Sequence, residues 1–239
     1  MNKSWKDIFE NFNSSKMPSK FTTRNLLIMA GHLKSKTAEF NLSSWNKEMK
    51  KIKDKICVKN GKILEIGSGT GALLKTFEDE MNIYGVDYSS TMVAITTKAI
   101  PKGKFQYCEA KNINFPNNYF DSIIIYSSAQ YFPDLEYFKK VLNKINKFLK
   151  KNGKLYLGEL VEKNKQKDFN EFRRKQLSFE EYKKKYLGKQ NQQLKHFAID
   201  RDQIYVLLKK NFKNIEILNS IKRGKEKEIY RFDVCCQKK

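Results

Sequence analysis

The chain has 239 residues, with 48 Lys and Arg against 26 Asp and Glu, for a formal net charge of +22. That length suits one large domain, or a domain with a cap, and is enough to bury a real core. No apolar run approaches the length that spans a bilayer, and the opening MNKSWKDIFENF lacks a signal-type apolar segment, so a cytoplasmic protein with no membrane partner is expected.

Taken in chain order, residues 1–55 read as three helices at about 4–12, 22–32 and 44–55, an N-terminal helical cap preceding any strand. A short apolar run at 62–66 reads as a buried strand, which Gly67-Ser68-Gly69-Thr70-Gly71 breaks before an apolar-periodic helix is expected to open at Ala72. The beat then continues as strand 83–87, helix 90–99, strands 104–108 and 120–126, helix 135–150 and strand 153–161. Continuous apolar strands separated by helices argue for a parallel sheet covered on both faces. Beyond a basic insert at about 163–199, a helix is expected at 200–211 and strands at 214–220 and 229–236. The turn at Arg223-Gly224-Lys225 is short, so those two strands are antiparallel. The resulting division is a cap over 1–55 and a main domain over 56–239.

The positive charge invites a nucleic-acid reading. Much of the excess is lysine scattered among Asn and Ile, a bias that base composition of the source genome also produces. It is densest between Lys163 and Lys195, where KNKQK, RRK and YKKKYLGKQ alternate with aromatics. That segment reads either as a solvated helical cap or as a face that contacts phosphate. No RNA-recognition, zinc-finger or basic-zipper pattern is present. The four cysteines, Cys57, Cys108, Cys235 and Cys236, form no CxxC pair. They suit a reducing compartment, with neither a disulfide framework nor a metal site, and the adjacent pair should point to opposite faces of a strand.

Strand, glycine turn and helix together suit a ligand that must approach the main chain closely. Asp87, at the end of the second strand, stands where dinucleotide-binding folds place an acid that accepts from both hydroxyls of a ribose. The other reading of Asp87 is a helix cap, a task that Ser89 or Ser90 could take instead. Glu65, two residues ahead of Gly67, would repel a diphosphate and instead suits a ligand with a positive group such as an ammonium.

At this point the sequence resembles the class I S-adenosylmethionine-dependent methyltransferases, in particular the small-molecule branch called type 11 or 25. The matching stretches are ILEIGSGTGALL, IYGVDYSSTMV, CEAKNINFPNNYFD, SIIIYSSAQYFPDLE and FLKKNGKLYLGEL, covering about residues 60–162 in the family's order. The resemblance implies a Rossmann-like, doubly wound α/β fold with a seven-stranded sheet, mostly parallel with an antiparallel C-terminal strand. It implies S-adenosylmethionine as cofactor and S-adenosylhomocysteine as product. It would set Glu65, Gly67, Ser68, Gly69 and Gly71 along the methionine half, and Asp87 on the ribose. Tyr88 and Met92 would pack on the adenosine, Glu109 and Ala110 would meet the adenine, and Ser127 would lie near the sulfonium and the acceptor. Two departures stand out: the family often has Asp where this chain has Glu109, and often histidine where it has Gln130 followed by Tyr131.

Methyl transfer is an in-line displacement at an activated carbon, so alignment and water exclusion carry most of the work. An alcohol acceptor would also need a general base. His32, closing LLIMAGHL in the cap, reads as that base or as a structural histidine, and His196 has the same two readings. Gln130 and Tyr131 are candidate hydrogen-bonding groups for the acceptor, as is Tyr126. The expected partner is a small polar acceptor, anionic through a phosphate or another acid group and methylated at oxygen rather than nitrogen. A monomer or homodimer is expected. An RNA methyltransferase is the nearest alternative, followed by a non-catalytic cofactor-binding protein.

Overall fold

The computed structural model describes residues 5–10, 18–30, 42–175, 178, 180, 196–219 and 230–239. Three helices precede the sheet: α1 (Trp5–Glu10), α2 (Thr23–Met29) and α3 (Leu42–Ile56). The strands are β1 (Lys62–Ile66), β2 (Asn82–Asp87), β3 (Lys104–Tyr107), β4 (Phe120–Tyr126), β5 (Leu149–Val161), β6 (Phe212–Asn219) and β7 (Arg231–Lys238). Helices α4 (Ser90–Ala99), α5 (Leu135–Phe148), α6 (Gln166–Lys175) and α7 (Arg201–Lys209) lie between them.

The seven strands form one sheet in the order β3-β2-β1-β4-β5-β7-β6. From β3 through β5 every pairing is parallel, whereas β7 runs antiparallel to both β5 and β6. The chain winds from β1 outward through β2 to β3, then restarts at β4 beside β1 and winds the other way. That reversal opens a crevice at the carboxyl ends of β1 and β4, where open α/β sheets hold their ligands. The fold is the Rossmann-like arrangement expected.

Both faces of the sheet are packed. On one, Ile123, Ile125 and Leu157 meet the apolar stripe of α5, led by Phe138, Val141, Leu142 and Ile145. On the other, Ile63, Ile124 and Tyr156 meet Leu26, Leu27, Met49 and Ile52 of α2 and α3. Cys236 belongs to the first cluster and Cys235 to the second, as alternation along a strand requires. Among the described residues no helix is long and apolar enough to cross a membrane.

The expected helix at Ala72 is absent. The segment makes one α-type bond, Lys75 N to Gly71 O at 2.9 Å, and then tightens into a 3-10 turn over Leu74–Thr76. The Thr76 hydroxyl donates to the Leu73 carbonyl at 2.7 Å, the same carbonyl its own amide takes at 2.9 Å, and this local competition favours the tighter turn. The connection still buries Leu73, Leu74 and Phe77, so packing rather than helix formation holds it. The turn expected at Arg223-Gly224-Lys225 lies outside the described residues, as does the insert between 181 and 195.

Candidate active site

The glycine loop leaves β1 at Gly67, whose φ of +80° belongs to the left-handed region. A Cβ there would also stand 2.5 Å from Cβ of Ser128, so both conformation and space require glycine. Gly67 and Ser68 each donate an amide to the Val86 carbonyl, at 2.8 and 3.1 Å, which folds the loop back over the end of β2. The next turn is pinned from two sides. The Gly69 amide donates to Asp87 Oδ2 at 2.8 Å, and the Thr96 hydroxyl of α4 donates to the Gly69 carbonyl at 2.5 Å.

Asp87 therefore clamps the loop, and its other oxygen accepts from the Ser89 amide at 2.9 Å. Capping of α4 falls to Ser89, whose hydroxyl accepts from the Met92 amide at 3.2 Å. Burial pushes the Asp87 carboxyl up, against the lowering effect of these amide bonds. Each carboxylate oxygen keeps a second lone pair for a ligand.

These elements enclose a cavity of about 890 Å³. Its wall includes Glu65, Gly67, Ser68, Gly69, Asp87, Tyr88, Met92, Glu109, Ala110 and Ser127, so the structure brings together the expected cofactor residues other than Gly71. Gly71, at φ +80°, closes the loop against Thr96. Three buried polar atoms in this wall, Glu65 Oε2, Ser68 Oγ and Tyr88 Oη, have no hydrogen-bond partner in the protein. Each such group costs about 1–3 kcal/mol when left unmet, and three in one cavity point to a polar ligand that meets them. Burial, with the Asp87 charge adding to it, pushes the Glu65 carboxyl well above the usual carboxylate range. A buried acid of this kind is complementary to a ligand ammonium. On these observations the residues fit S-adenosylmethionine.

The candidate catalytic residues separate. Tyr131 lines the cavity. Gln130 is buried, with its amide donating to the Ser127 carbonyl at 3.3 Å and its oxygen accepting from Arg231, so it braces the turn after β4. His32 lies outside the described residues. His196 stacks on Trp5 at 5.1 Å. Glu109 accepts from the Tyr137 hydroxyl at 2.9 Å.

Several contributors were not picked out from the sequence. Trp5 and Phe9, at i and i+4 in WKDIFE, place two rings of α1 on the cavity wall, and that spacing was a legible signal. Glu10, at the end of α1, accepts from the Ser90 amide at 3.0 Å, the Thr91 amide at 3.3 Å and the Ser90 hydroxyl at 3.1 Å, which fastens α1 to the start of α4. Glu48 accepts from the Tyr126 hydroxyl at 2.5 Å behind the wall formed by Tyr126. It interrupts the buried stripe Trp45, Met49, Ile52 and Ile56 of α3, and an acid on an apolar helix face is a signal that periodicity exposes.

Residues 64–157 match the model of a family described as methyltransferase domain. The match covers less than half of the chain and runs from β1 into β5, with the glycine loop and Asp87 inside it. Among curated relatives, the demethylmenaquinone methyltransferase of Thermotoga maritima is 33% identical over 106 residues, 43% of this chain and 45% of that protein. Phosphoethanolamine N-methyltransferase 2 of Caenorhabditis elegans is 30% identical over 102 residues, 40% of this chain and 23% of that protein. The matched part is thus less than half of either relative. Among solved structures, phosphoethanolamine N-methyltransferase 2 of Haemonchus contortus, in complex with phosphomonomethylethanolamine and S-adenosylhomocysteine, superposes with a TM-score of 0.63 at 19% identity. That likeness covers 96% of this chain and 60% of the other, and shows that the two share a fold.

Proposed function

We propose that the chain is an S-adenosylmethionine-dependent methyltransferase acting on a small polar acceptor, with nitrogen as the methylated atom. The observation that carries the cofactor is the unpartnered Glu65 carboxylate beside a glycine loop clamped by Asp87. When bound, the cofactor supplies a methyl group already activated on a sulfonium. The protein's part is to hold the loop rigid, to orient the acceptor from the ends of β1 and β4, and to exclude water beneath α1.

The sequence favoured oxygen over nitrogen as the acceptor atom. Two of the three relatives above carry N-methyltransferase in their names, and this supports nitrogen. The phosphate of phosphoethanolamine in those names also supports the expected acid group on the acceptor. In this reading residues 1–55 act as the cap of the site and the basic insert meets the acid group. In the same reading Tyr126, with Glu48 behind it, is the group that takes the amine proton.

The test is calorimetric titration with S-adenosylhomocysteine and NADH, followed by release of S-adenosylhomocysteine from S-adenosylmethionine in the presence of ethanolamine, phosphoethanolamine, histamine or total RNA. Micromolar binding of the adenosyl ligand and turnover with a small amine are expected. Absence of adenosyl-ligand binding, or turnover confined to RNA, overturns the proposal.

A further inference from the structure

The cofactor cavity lies at the carboxyl ends of β1 and β4, and the opposite end of the sheet has a different chemistry. Strands β1 to β5 pair in parallel, so their starts lie together there. The antiparallel β7 ends beside them, with Gln237 opposite Lys154 and Lys238 opposite Phe212 at the start of β6. The segments that meet at this end, 117–121, 147–154, 209–214 and 237–239, carry nine lysines against one acidic side chain, Asp121. Hydrogen bonds tie them into one surface. The Lys238 ammonium donates to the Leu149 carbonyl at 2.7 Å and to Asn118 Oδ1 at 3.0 Å, and that of Lys239 donates to the Lys209 carbonyl at 2.6 Å. Asp121 accepts from the Lys150 ammonium at 2.7 Å and from the Lys62 amide at 2.8 Å. Lys147, Lys151, Lys209, Lys210 and Lys213 are exposed, and among the described residues no acid pairs with them.

A second cavity, of about 270 Å³, borders this surface at Lys147 and is lined also by Asn114, Phe115, Asn117, Asn143 and Lys144. The Lys144 ammonium is fixed on the Ile113 carbonyl at 2.8 Å. Three side-chain amides there donate and accept as the edge of a base does, and no acid stands among the described lining residues. The volume exceeds the roughly 150 Å³ that takes up a benzene ring. Clustered lysines attract any polyanion, whereas a cavity with amides and a phenyl ring adds recognition of a base that has left its stack. A lipid surface would need apolar side chains to insert, and the exposed large apolar residues among those described lie on other segments. We propose that the amino end of the sheet binds single-stranded nucleic acid, with phosphates on the lysines and one base in the cavity beside Lys147. Strands of five to seven residues, about 20 Å, separate this surface from the glycine loop, so the bound strand is a tether and not the methyl acceptor. Binding at this end is independent of the cofactor.

The experiment is fluorescence anisotropy of labelled oligouridylate and oligothymidylate, each of about 12 nucleotides, titrated with the full chain beside a duplex of equal length. Binding of either strand should weaken roughly 50–300-fold as salt rises from about 50 to 200 mM, the slope expected for about four to six neutralised phosphates. The tighter of the two strands names RNA or DNA as the source. Lys151→Gln, Lys210→Gln and Lys213→Gln together should weaken binding roughly tenfold or more. Lys20→Gln, Arg24→Gln and Lys47→Gln change the net charge equally at the cavity end, where the Thr70 hydroxyl of the glycine loop donates to the Leu26 carbonyl, and should leave affinity within about twofold. Equal losses in the two sets overturn the proposal, because charge would then act only as a sum. Tighter binding to the duplex, or binding to phosphatidylglycerol vesicles in place of the strands, overturns it too. Lysine acylation of the wild-type protein, read by mass spectrometry, decides the place without variants: the strand should protect Lys151, Lys210 and Lys213 and leave Lys20 and Lys47 reactive, and the reverse pattern refutes it. S-Adenosylhomocysteine affinity should be unchanged in the first set, so the cofactor reading and this one fail separately.

Discussion

Glu65→Gln should move stability and affinity in opposite directions. In the unliganded protein the Glu65 carboxyl is 3% exposed, and its Oε2 meets no donor. Burial raises its proton affinity above that of the unfolded chain. The folded state therefore binds more protons than the unfolded state between the two pKa values. Stability is unaffected by this group at pH below about 4, falls as pH rises through the unfolded value, and levels off only above the folded one. Glutamine cannot ionise, so the variant should be more stable than wild type at neutral pH and should lose that part of the pH slope.

Affinity runs the other way. An ammonium meeting this carboxylate makes a charge-assisted hydrogen bond, whose loss costs about 1.5–3 kcal/mol, or roughly 10–150-fold in dissociation constant. S-Adenosylhomocysteine carries that ammonium and 5′-methylthioadenosine does not. Titration of both ligands into both proteins should show a loss for the first and none for the second. Wild-type affinity for S-adenosylhomocysteine should also rise with pH until Glu65 is ionised. Equal losses for the two ligands would mean that Glu65 supports the loop and does not meet the amino-acid end. Unchanged affinity for both would remove it from the site.

Two further outcomes are expected from residues that the sequence reading passed over. Glu48→Gln removes the carboxylate that receives the Tyr126 hydroxyl bond, so the specificity constant for an amine acceptor should fall by about 10²–10⁴ near neutral pH and recover as pH rises toward the amine's own pKa. A pH profile lowered uniformly would assign Glu48 to structure alone. Glu10→Ala should free α1 from α4, at a cost near that of a lost helix cap, about 0.5–2 kcal/mol before allowance for its solvent exposure, and hydrogen exchange at the Ser90 and Thr91 amides should quicken. The Ser90 amide bond holds the Glu10 carboxyl below its usual range, so the latch is present above the unfolded pKa and is lost as pH falls through the lower folded value.

Much of the fold was legible because its elements carry local signals. Helix α4 and strand β4 have the expected boundaries, residues 90–99 and 120–126, since a Ser cap opens one and an unbroken apolar run defines the other. The start of β5 was not legible. It begins at Leu149 rather than Gly153, because backbone pairing with Phe120 draws in polar residues that have no apolar alternation. The turn after Gly71 misled for a related reason: its buried leucines sit at helix-like spacing, yet side-chain capture of a backbone carbonyl decided the local geometry. At the site, Glu65, the glycines and Asp87 are adjacent in sequence to the strands that place them. The aromatic side of the cavity is not, since Trp5 and Phe9 of α1 meet Tyr131 only by packing between distant parts of the chain.

The net charge illustrates the same limit in electrostatic terms. The basic insert between Lys163 and Lys195 pointed to an anionic acceptor, whereas among the described residues the lysines in the cavity wall are Lys6 and Lys111. At physiological salt the field of an exposed charge decays over about 8 Å, while a buried carboxylate is screened far less. Among the described residues, the acids in the cavity wall are Glu65, Asp87 and Glu109, and they act at short range inside it. A sum over the sequence therefore says little about the field at one buried point, which is set by the few groups that line it.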